Sequence, residues 1–208
     1  GAKLSGTGTV KGPIAIQSGG TLAPGDAGIG TLTCSNSVTL QGGSQTFMRI
    51  SKTGGVPISD KLYALGSGVT YGGTLTVTNI TSDASAFVAG DSFALFDAAS
   101  YSGGFTTTNL PALPAGLTWA WWPATGTLVV LDAALYVSPS GNDSAGDGSI
   151  GNPWRTVAAA RDYIRAAGLN TNMQADIVIN LRGGRYPLTQ TLGFGKADSG
   201  VNGYYITY

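Results

Sequence analysis

The sequence predicts an all-β protein built as a parallel β-helix, or β-solenoid, with one short capping helix near residues 156–167. Three observations lead to this prediction. Along most of the chain, short runs of alternating apolar and Ser/Thr residues are separated by Gly-Gly or Pro-Gly pairs, which is typical of strands bounded by turns. Similar segments containing glycine pairs recur. Only one segment has the spacing of an amphipathic helix.

The recurring segments are IQSGGTL at 16–22, VTLQGGS at 38–44 and VTYGGTL at 69–75. Their glycine pairs begin at residues 19, 42 and 72, so the steps are 23 and 30 residues. Steps of this size fit the coils of a β-solenoid, in which each rung buries its inward apolar residues against its neighbours. The glycine pairs are then expected at corners that need a positive φ. A β-sandwich with recurring turns is the alternative that the same pattern allows.

The sequence pattern changes after residue 132, and this change predicts one domain over 1–132 and a second over 133–208. The second domain begins with a strand at 135–138 and a polar loop at 139–148. A helix is expected over 157–167, because Thr156 is a suitable N-cap and Gly168 a suitable C-terminal stop. A strand follows at 176–182. The apolar run 204–208 is expected to be an open strand edge, continued by further rungs of a longer parent chain or covered by self-association.

Composition excludes several classes of function. Lys+Arg and Asp+Glu number 11 each, and only 11% of residues are charged, so no basic surface for nucleic acid is expected. No apolar run is long enough for membrane insertion. The chain has neither His nor Glu, which excludes Ser-His-Asp catalysis and His-ligated metals. Cys34, the single cysteine, has no disulfide partner within the chain.

Several motifs in residues 1–132 resemble the autotransporter-associated β-strand repeat of bacterial surface proteins. They are LSGTGTV at 4–10, SGGTLAPG at 18–25, GTL at 30–32, SDKL at 59–62, YGGTL at 71–75, LPALPAGL at 110–117 and GTLVV at 126–130. The resemblance implies a right-handed β-solenoid that serves as a stalk or passenger segment, without catalytic residues of its own.

Motifs in residues 135–208 resemble the opening of pectate-lyase-like right-handed parallel β-helix proteins, which cut or bind polysaccharides. They are YVSPSGND at 136–143, PWRT at 153–156, ARDYIR at 160–165, LRGGRY at 181–186 and DSG at 198–200. This resemblance implies a capping helix followed by the first rungs, with catalytic acids only on later rungs.

Together these features favour a non-catalytic β-helical region of a secreted or surface-displayed bacterial protein that binds polysaccharide or acts as a stalk. Two alternatives remain open. The chain is the N-terminal part of a polysaccharide lyase or glycoside hydrolase whose active site lies beyond residue 208, or it is an adhesin passenger segment.

Two sets of residues are candidates for carbohydrate binding. Trp119, Trp121 and Trp122 offer flat rings for sugar C–H faces, although core packing explains the same residues. Arg182 and Arg185 flank the pair Gly183-Gly184, and their planar forks suit uronate carboxylates. Solvated turn residues are the alternative for both arginines.

The loop that contains Asn142, Asp143 and Asp147 carries the oxygen ligands that calcium prefers. These residue types also bond their own backbone in turns, so a structural turn is the alternative. For acid–base chemistry, the plausible carboxylate pairs are Asp143 with Asp147 and Asp176 with Asp198. Both pairs are expected to be structural, so no catalytic residue is predicted.

Overall fold

The computed structural model of the chain describes residues 1–26, 28–171, 173 and 175–208. These residues form two compact units. Unit 1 comprises Gly1–Phe87, Asp91–Ala112 and Trp121–Val129, and unit 2 comprises Val88–Gly90, Leu113–Ala120 and Val130–Tyr208. The predicted all-β class agrees with the structure, which is mostly β with parallel sheets.

The described residues contain eighteen strands and one α-helix, α1, at Val157–Ala166. The strands are β1 (Lys3–Gly6), β2 (Gly8–Val10), β3 (Ile14–Ile16), β4 (Thr21–Pro24), β5 (Thr31–Cys34), β6 (Val38–Leu40), β7 (Gln45–Ser51), β8 (Ile58–Ser59), β9 (Lys61–Tyr71), β10 (Thr74–Asn79), β11 (Ser92–Ala94), β12 (Phe96–Gly103), β13 (Thr107–Asn109), β14 (Leu117–Trp122), β15 (Thr127–Asp132), β16 (Ala134–Val137), β17 (Ile177–Leu181) and β18 (Ile206–Thr207). Short 3-10 helices cover Thr53–Gly55 and Lys196–Asp198.

Two sheets made mainly of parallel strands form the frame of unit 1. The first has the order β1-β4-β7-β10-β13, and the second has the order β2-β5-β9-β6-β3, with β12 also paired to β9. Between neighbours of the first sheet the chain visits at least one strand of the second. This arrangement places residues of successive passes beside each other in register.

The register stacks apolar residues on apolar residues. Leu32 lies beside Leu62, which lies beside Phe96, and all three are buried. A second column joins Ile14, Val38 and Val69. The alternation of buried and exposed positions therefore repeats from pass to pass, so buried apolar side chains of neighbouring strands stack in columns.

Glycine corners separate the strands, as the sequence predicts. Gly43 and Gly73 have φ values of +79° and +68°, a region that residues with a Cβ rarely occupy. The Gly19 amide donates to the Gly43 carbonyl oxygen over 2.9 Å, so two corners are bonded together. At Gly73 a Cβ would overlap the carbonyl oxygen of Ser44.

A buried ion pair fixes one corner of unit 1. The Asp60 side chain is 1% exposed, and its carboxylate accepts from the Arg49 Nε over 2.9 Å. It also accepts from the backbone amides of Gly30 and Arg49, each over 2.9 Å. The guanidinium donates in turn to the carbonyl oxygens of Pro24 and Asp26. One ion pair thus ties together four separate stretches of chain.

The three-stranded sheet β16-β17-β18 and α1 form the core of unit 2. The sheet is parallel, with Leu135 beside Ile179 and Ile177 beside Ile206. The side chains of Val157, Ala160 and Ile164 are buried along one face of α1, as the helical spacing predicts. No helix in the described part of the chain has the length and apolar character needed to cross a membrane.

Both predicted ends of α1 are confirmed. The Thr156 Oγ1 accepts from the Ala159 amide over 3.1 Å, which is the N-cap bond. At the other end Gly168 has a φ of +63° and its amide donates to the Arg165 carbonyl oxygen.

Substitution of a corner glycine tests the stacking. Gly73→Ala combines a positive φ with a steric overlap, so we expect it to destabilise unit 1 by roughly 3 kcal/mol or more. Gly54→Ala is the matched control, because Gly54 has a φ of +76° but nothing within 4 Å of the added Cβ; we expect a loss of about 1 kcal/mol. Chemical denaturation measures both. Equal losses would contradict the steric argument.

Thr46 tests the cost of a polar group in the apolar column. It is fully buried beside Leu22 and Leu75, and its hydroxyl has no hydrogen-bond partner among the residues that the structure describes. Thr46→Val keeps the shape and removes the unsatisfied hydroxyl, so the free energy of unfolding should rise by about 1 kcal/mol. Thr46→Ser, which keeps the hydroxyl and loses a methyl group, should lower it by about 1 kcal/mol. A destabilised valine variant would show that the hydroxyl is satisfied in solution.

Candidate functional site

A groove runs beside α1 in unit 2, and we call it the α1 groove. Its first part is a cavity of about 410 Å³ between residues 155–157, at the start of α1, and residues 185–188. Its second part is a cavity of about 330 Å³ that extends past Arg161 and Asp162 to residues 189–192. Thr156, Pro187 and Leu188 line both cavities, so the two parts adjoin.

Asp143 holds the helix side of the groove in place. One carboxylate oxygen accepts from the backbone amides of Arg155 and Thr156 over 2.7 and 2.9 Å. The other accepts from the Thr156 hydroxyl over 2.9 Å. Because Thr156 also caps α1, a single carboxylate fixes both the approach to the helix and its first turn.

Tyr186 holds the opposite side. Its hydroxyl lies 2.6 Å from the Arg182 carbonyl oxygen and 3.0 Å from the Val137 carbonyl oxygen. Gly184, two residues before Tyr186, lies so close to Pro139 that a Cβ at this position would be 2.5 Å from the Pro139 Cγ. Segment 185–188 is therefore anchored to β16 and the loop that follows it.

The two parts of the groove differ in charge. In the second part, Arg161 is paired with Asp162 over 2.8 Å and donates to the Gly193 carbonyl oxygen. In the first part, the Arg155 Nε donates to the Gly141 carbonyl oxygen over 3.0 Å. Among the described residues, neither Arg155 nor Arg185 forms a salt bridge. In this described part of the chain the nearby carboxylate of Asp143 binds the Arg155 and Thr156 amides and the Thr156 hydroxyl, rather than either guanidinium.

Of the two predicted arginines, Arg185 lines the groove and Arg182 does not. The Arg182 guanidinium lies over the Tyr136 ring, 5.8 Å from its centroid, and donates to the Ile150 carbonyl oxygen. Arg182 thus holds the loop that precedes α1. Arg185 is exposed.

The three predicted tryptophans have different surroundings. Trp119 is 3% exposed, so its ring offers no face to solvent and its burial favours core packing. Trp121 is half-buried in an aromatic cluster, with ring centroids 5.6, 5.8 and 5.9 Å from those of Tyr71, Phe96 and Phe105. Trp122 is also half-buried, and its indole N–H has no acceptor among the described residues.

The predicted calcium ligands serve turns in this structure. The Asn142 Oδ1 accepts from the amides of Ser144 and Ala145, and the Asp147 Oδ1 accepts from the Ser149 amide. The hydrogen bonds from Ser149 hold the pKa of Asp147 below its ordinary value. Within the described residues no group of three or more His, Cys, Asp or Glu side chains is arranged to hold a metal ion. These contacts favour the structural turn, and calcium binding stays a prediction.

The acids proposed as a second pair are also engaged in structural bonds. Both carboxylate oxygens of Asp198 accept from Arg165 over 2.7 Å, and one also accepts from the Gly195 amide. The hydrogen bonds from Arg165 hold the pKa of Asp198 below its ordinary value, which is unsuited to a general acid. The Asp176 Oδ1 accepts from the Tyr205 amide over 2.9 Å.

Sequence reasoning missed Arg155, Arg161 and segment 187–192 as groove residues. The signal was weak: Arg155 stands inside the motif PWRT, and segment 187–192 has no strand or helix pattern.

Comparison of the chain with protein family models, curated proteins and solved structures finds no match in any of the three.

The Arg165–Asp198 pair generates a pH prediction. Because the folded pKa of Asp198 is lowered, the stabilisation is present above its unfolded pKa of about 3.9 and is lost as the pH falls through the folded pKa. Asp198→Asn should therefore lower the free energy of unfolding at pH 7 and flatten its decline below about pH 5. Denaturation at several pH values measures this.

Asp97→Asn is the control for the pH prediction, because the Asp97 side chain is 55% exposed and lies 4.0 Å from its nearest cation, the Lys61 Nζ. We expect this control to keep the acid-side slope of the unmodified chain. An unchanged slope for Asp198→Asn would show that Asp198 does not contribute to acid unfolding.

Proposed function

We propose that the chain is a non-catalytic module of a secreted or cell-surface protein that binds polysaccharide in the α1 groove. The observation that carries the proposal is the groove itself, which combines two adjoining cavities, hydrogen-bonding side chains and exposed apolar groups. An extended sugar chain needs this combination, because each ring presents hydroxyl groups at its edge and C–H groups on its faces.

The polar and apolar groups of the groove are placed close together. Arg155 and Arg185 supply N–H donors in the first part, while Thr189, Gln190 and Thr191 supply donors and acceptors in the second. Leu188, which lines both parts, is 64% exposed. Such an exposed leucine provides an apolar surface for a sugar face without occupying the core.

The carboxylates around the groove support binding rather than hydrolysis. Asp143 accepts three hydrogen bonds from residues 155 and 156, and Asp162 is paired with Arg161 and Arg165. A glycosidase of the common type needs two carboxylates facing each other across the substrate, about 5 to 10 Å apart. Both of these acids are engaged in bonds that hold the groove.

We further propose that the parallel sheets of unit 1 are successive coils of a right-handed β-helix. Three features support this: the chain passes repeatedly between the two sheets, neighbouring strands keep the same register of apolar residues, and glycines stand at the corners. Such a frame also suits a spacer, because each added coil lengthens it by packing on the previous coil in the same way.

Affinity electrophoresis against xylan, pectin, alginate, β-glucan and cellulose, with and without calcium, tests the proposed function. We expect one polymer to retard the chain. Leu188→Ala should weaken this retardation, raising the apparent Kd roughly threefold to tenfold through lost apolar contact. Leu65→Ala is the matched control, because Leu65 is 50% exposed and belongs to unit 1.

Trp122→Ala distinguishes the groove from the tryptophan strand. If retardation is lost in this variant and kept in Leu188→Ala, the binding surface lies at β14 and the groove assignment is wrong. If no polymer retards the chain, the binding function is wrong and the spacer function is favoured.

A further inference from the structure

Two segments of the chain have the pattern Asn-X-Ser/Thr in which X is not proline. They are Asn79-Ile80-Thr81 and Asn142-Asp143-Ser144. This pattern is the acceptor for N-linked glycosylation in secreted proteins. By the pattern alone the two segments are equivalent, but transfer to a folded chain also requires that a transferase can reach the acceptor side chain. Their surroundings in the structure differ in this respect.

We propose that Asn79 is the acceptor of an N-linked glycan and that Asn142 is not modified in the folded chain. In the reaction, the Asn79 Nδ2 forms a bond to the anomeric carbon of an oligosaccharide carried on a polyprenyl diphosphate. The bond between that carbon and the diphosphate oxygen breaks, the polyprenyl diphosphate leaves, and Nδ2 loses one proton to a base of the oligosaccharyltransferase. Modification in the cell requires the export that the proposed function includes, but it does not depend on the α1 groove.

Asn79 lies where a transferase can reach it. It is the last residue of β10, its side chain is exposed, and residues 80–87 after it form neither helix nor strand. Its Oδ1 accepts from the Thr81 amide over 2.9 Å and from the Thr81 hydroxyl over 2.6 Å. Its Nδ2 has no hydrogen-bond acceptor among the described residues. The nitrogen that receives the glycan therefore has no competing partner in this part of the chain.

The residues after Asn79 are held by contacts that open at low cost. Ser82 is bonded to Thr53 through both its amide and its hydroxyl, and both hydrogen bonds are exposed to water. Exposed hydrogen bonds of this kind mark segments with a low free energy of local opening. Such opening releases the Thr81 hydroxyl, which accepts from the Lys52 amide over 2.9 Å, so that a transferase can bind it together with the Asn79 carboxamide.

Asn142 is exposed as well, but its segment is held firmly. Its backbone amide donates to the Pro153 carbonyl oxygen over 3.1 Å. The next residue, Asp143, accepts hydrogen bonds from the Arg155 amide and from the amide and hydroxyl of Thr156. Because Thr156 is the N-cap of α1, opening this segment would also disrupt the first turn of the helix. We therefore expect a transferase to reach Asn142 only when the chain is unfolded.

A glycan at Asn79 would shield apolar side chains that are open to water. Ile80, the next residue, is 39% exposed. Asn79 and Ser59 lie on opposite sides of Ile50 in the strand register, and Ile58, which precedes Ser59, is 46% exposed. Exposed apolar groups favour association between molecules, whereas a bulky glycan keeps a surface solvated. The modification would thus increase the solubility of this corner of unit 1.

Glycan transfer to the purified, folded chain tests the inference. We incubate the chain with a single-subunit oligosaccharyltransferase that accepts Asn-X-Ser/Thr without further sequence requirements, and with a polyprenyl-diphosphate oligosaccharide of known mass. We expect the intact mass to rise by one glycan per chain. Peptide mapping by mass spectrometry should place this glycan on Asn79. A synthetic peptide of residues 76–84 is the unfolded positive control.

Four variants assign the reaction to the proposed residues. Asn79→Gln and Thr81→Ala should each abolish the mass shift, because they remove the acceptor nitrogen and the required hydroxyl. Thr81→Ser keeps a hydroxyl and should retain the shift. Asn142→Gln is the matched control, since it removes the other Asn-X-Ser/Thr segment and should leave the shift unchanged. Circular dichroism checks that each variant keeps the fold.

The possible results give a clear decision. One glycan on Asn79, lost in Asn79→Gln and kept in Asn142→Gln, supports the inference. No transfer to the folded chain, while the peptide 76–84 is modified, overturns it. Transfer to Asn142, with or without Asn79, also overturns it, because the contacts of Asp143 would then fail to protect that segment. Polysaccharide binding is measured on the unmodified chain, so failure of either proposal leaves the other unaffected.

Discussion

Parallel stacking in a fixed register is the constraint on which unit 1 depends. Leu32, Leu62 and Phe96 lie side by side in the core. A shift of one residue in β9 would bring Lys61 or Tyr63 into that column, because side chains alternate between the faces of a strand. The register therefore decides which residues are buried, and every pass of the chain has to keep it.

Buried polar groups reinforce this register at the corners. The carboxylate of Asp60 binds Arg49 and the amide of Gly30, and neither partner is adjacent to it in the sequence. Removing one member of such a pair leaves an uncompensated buried charge, which is strongly destabilising. In unit 2 the pair of Arg165 and Asp198 has a similar role, since it holds the 3-10 helix Lys196–Asp198 against α1.

Local signals in the sequence predicted the local features of the structure. Thr156 and Gly168 marked the ends of α1 correctly, and the glycine pairs marked corners with a positive φ. The sequence predicted ligand binding equally for the two arginines beside Gly183-Gly184, Arg182 and Arg185. Their roles differ because of distant partners: Arg182 contacts Tyr136 and Ile150, which are far away in the chain. No local pattern encodes those contacts.

The same limit explains why the sequence pointed to acids as site residues, whereas in the structure an arginine that it had not singled out lines the groove. The acids drew attention as possible metal ligands or catalytic groups, but Asp143 and Asp198 bind groups of the chain itself. Arg155 was unremarked within its motif. The chain as a whole has balanced charges, 11 of each sign, so it has no general attraction for anions. The α1 groove could be located only from the structure, because residues 155–162 and 185–192, which line it, are far apart in the sequence and come together only in the fold.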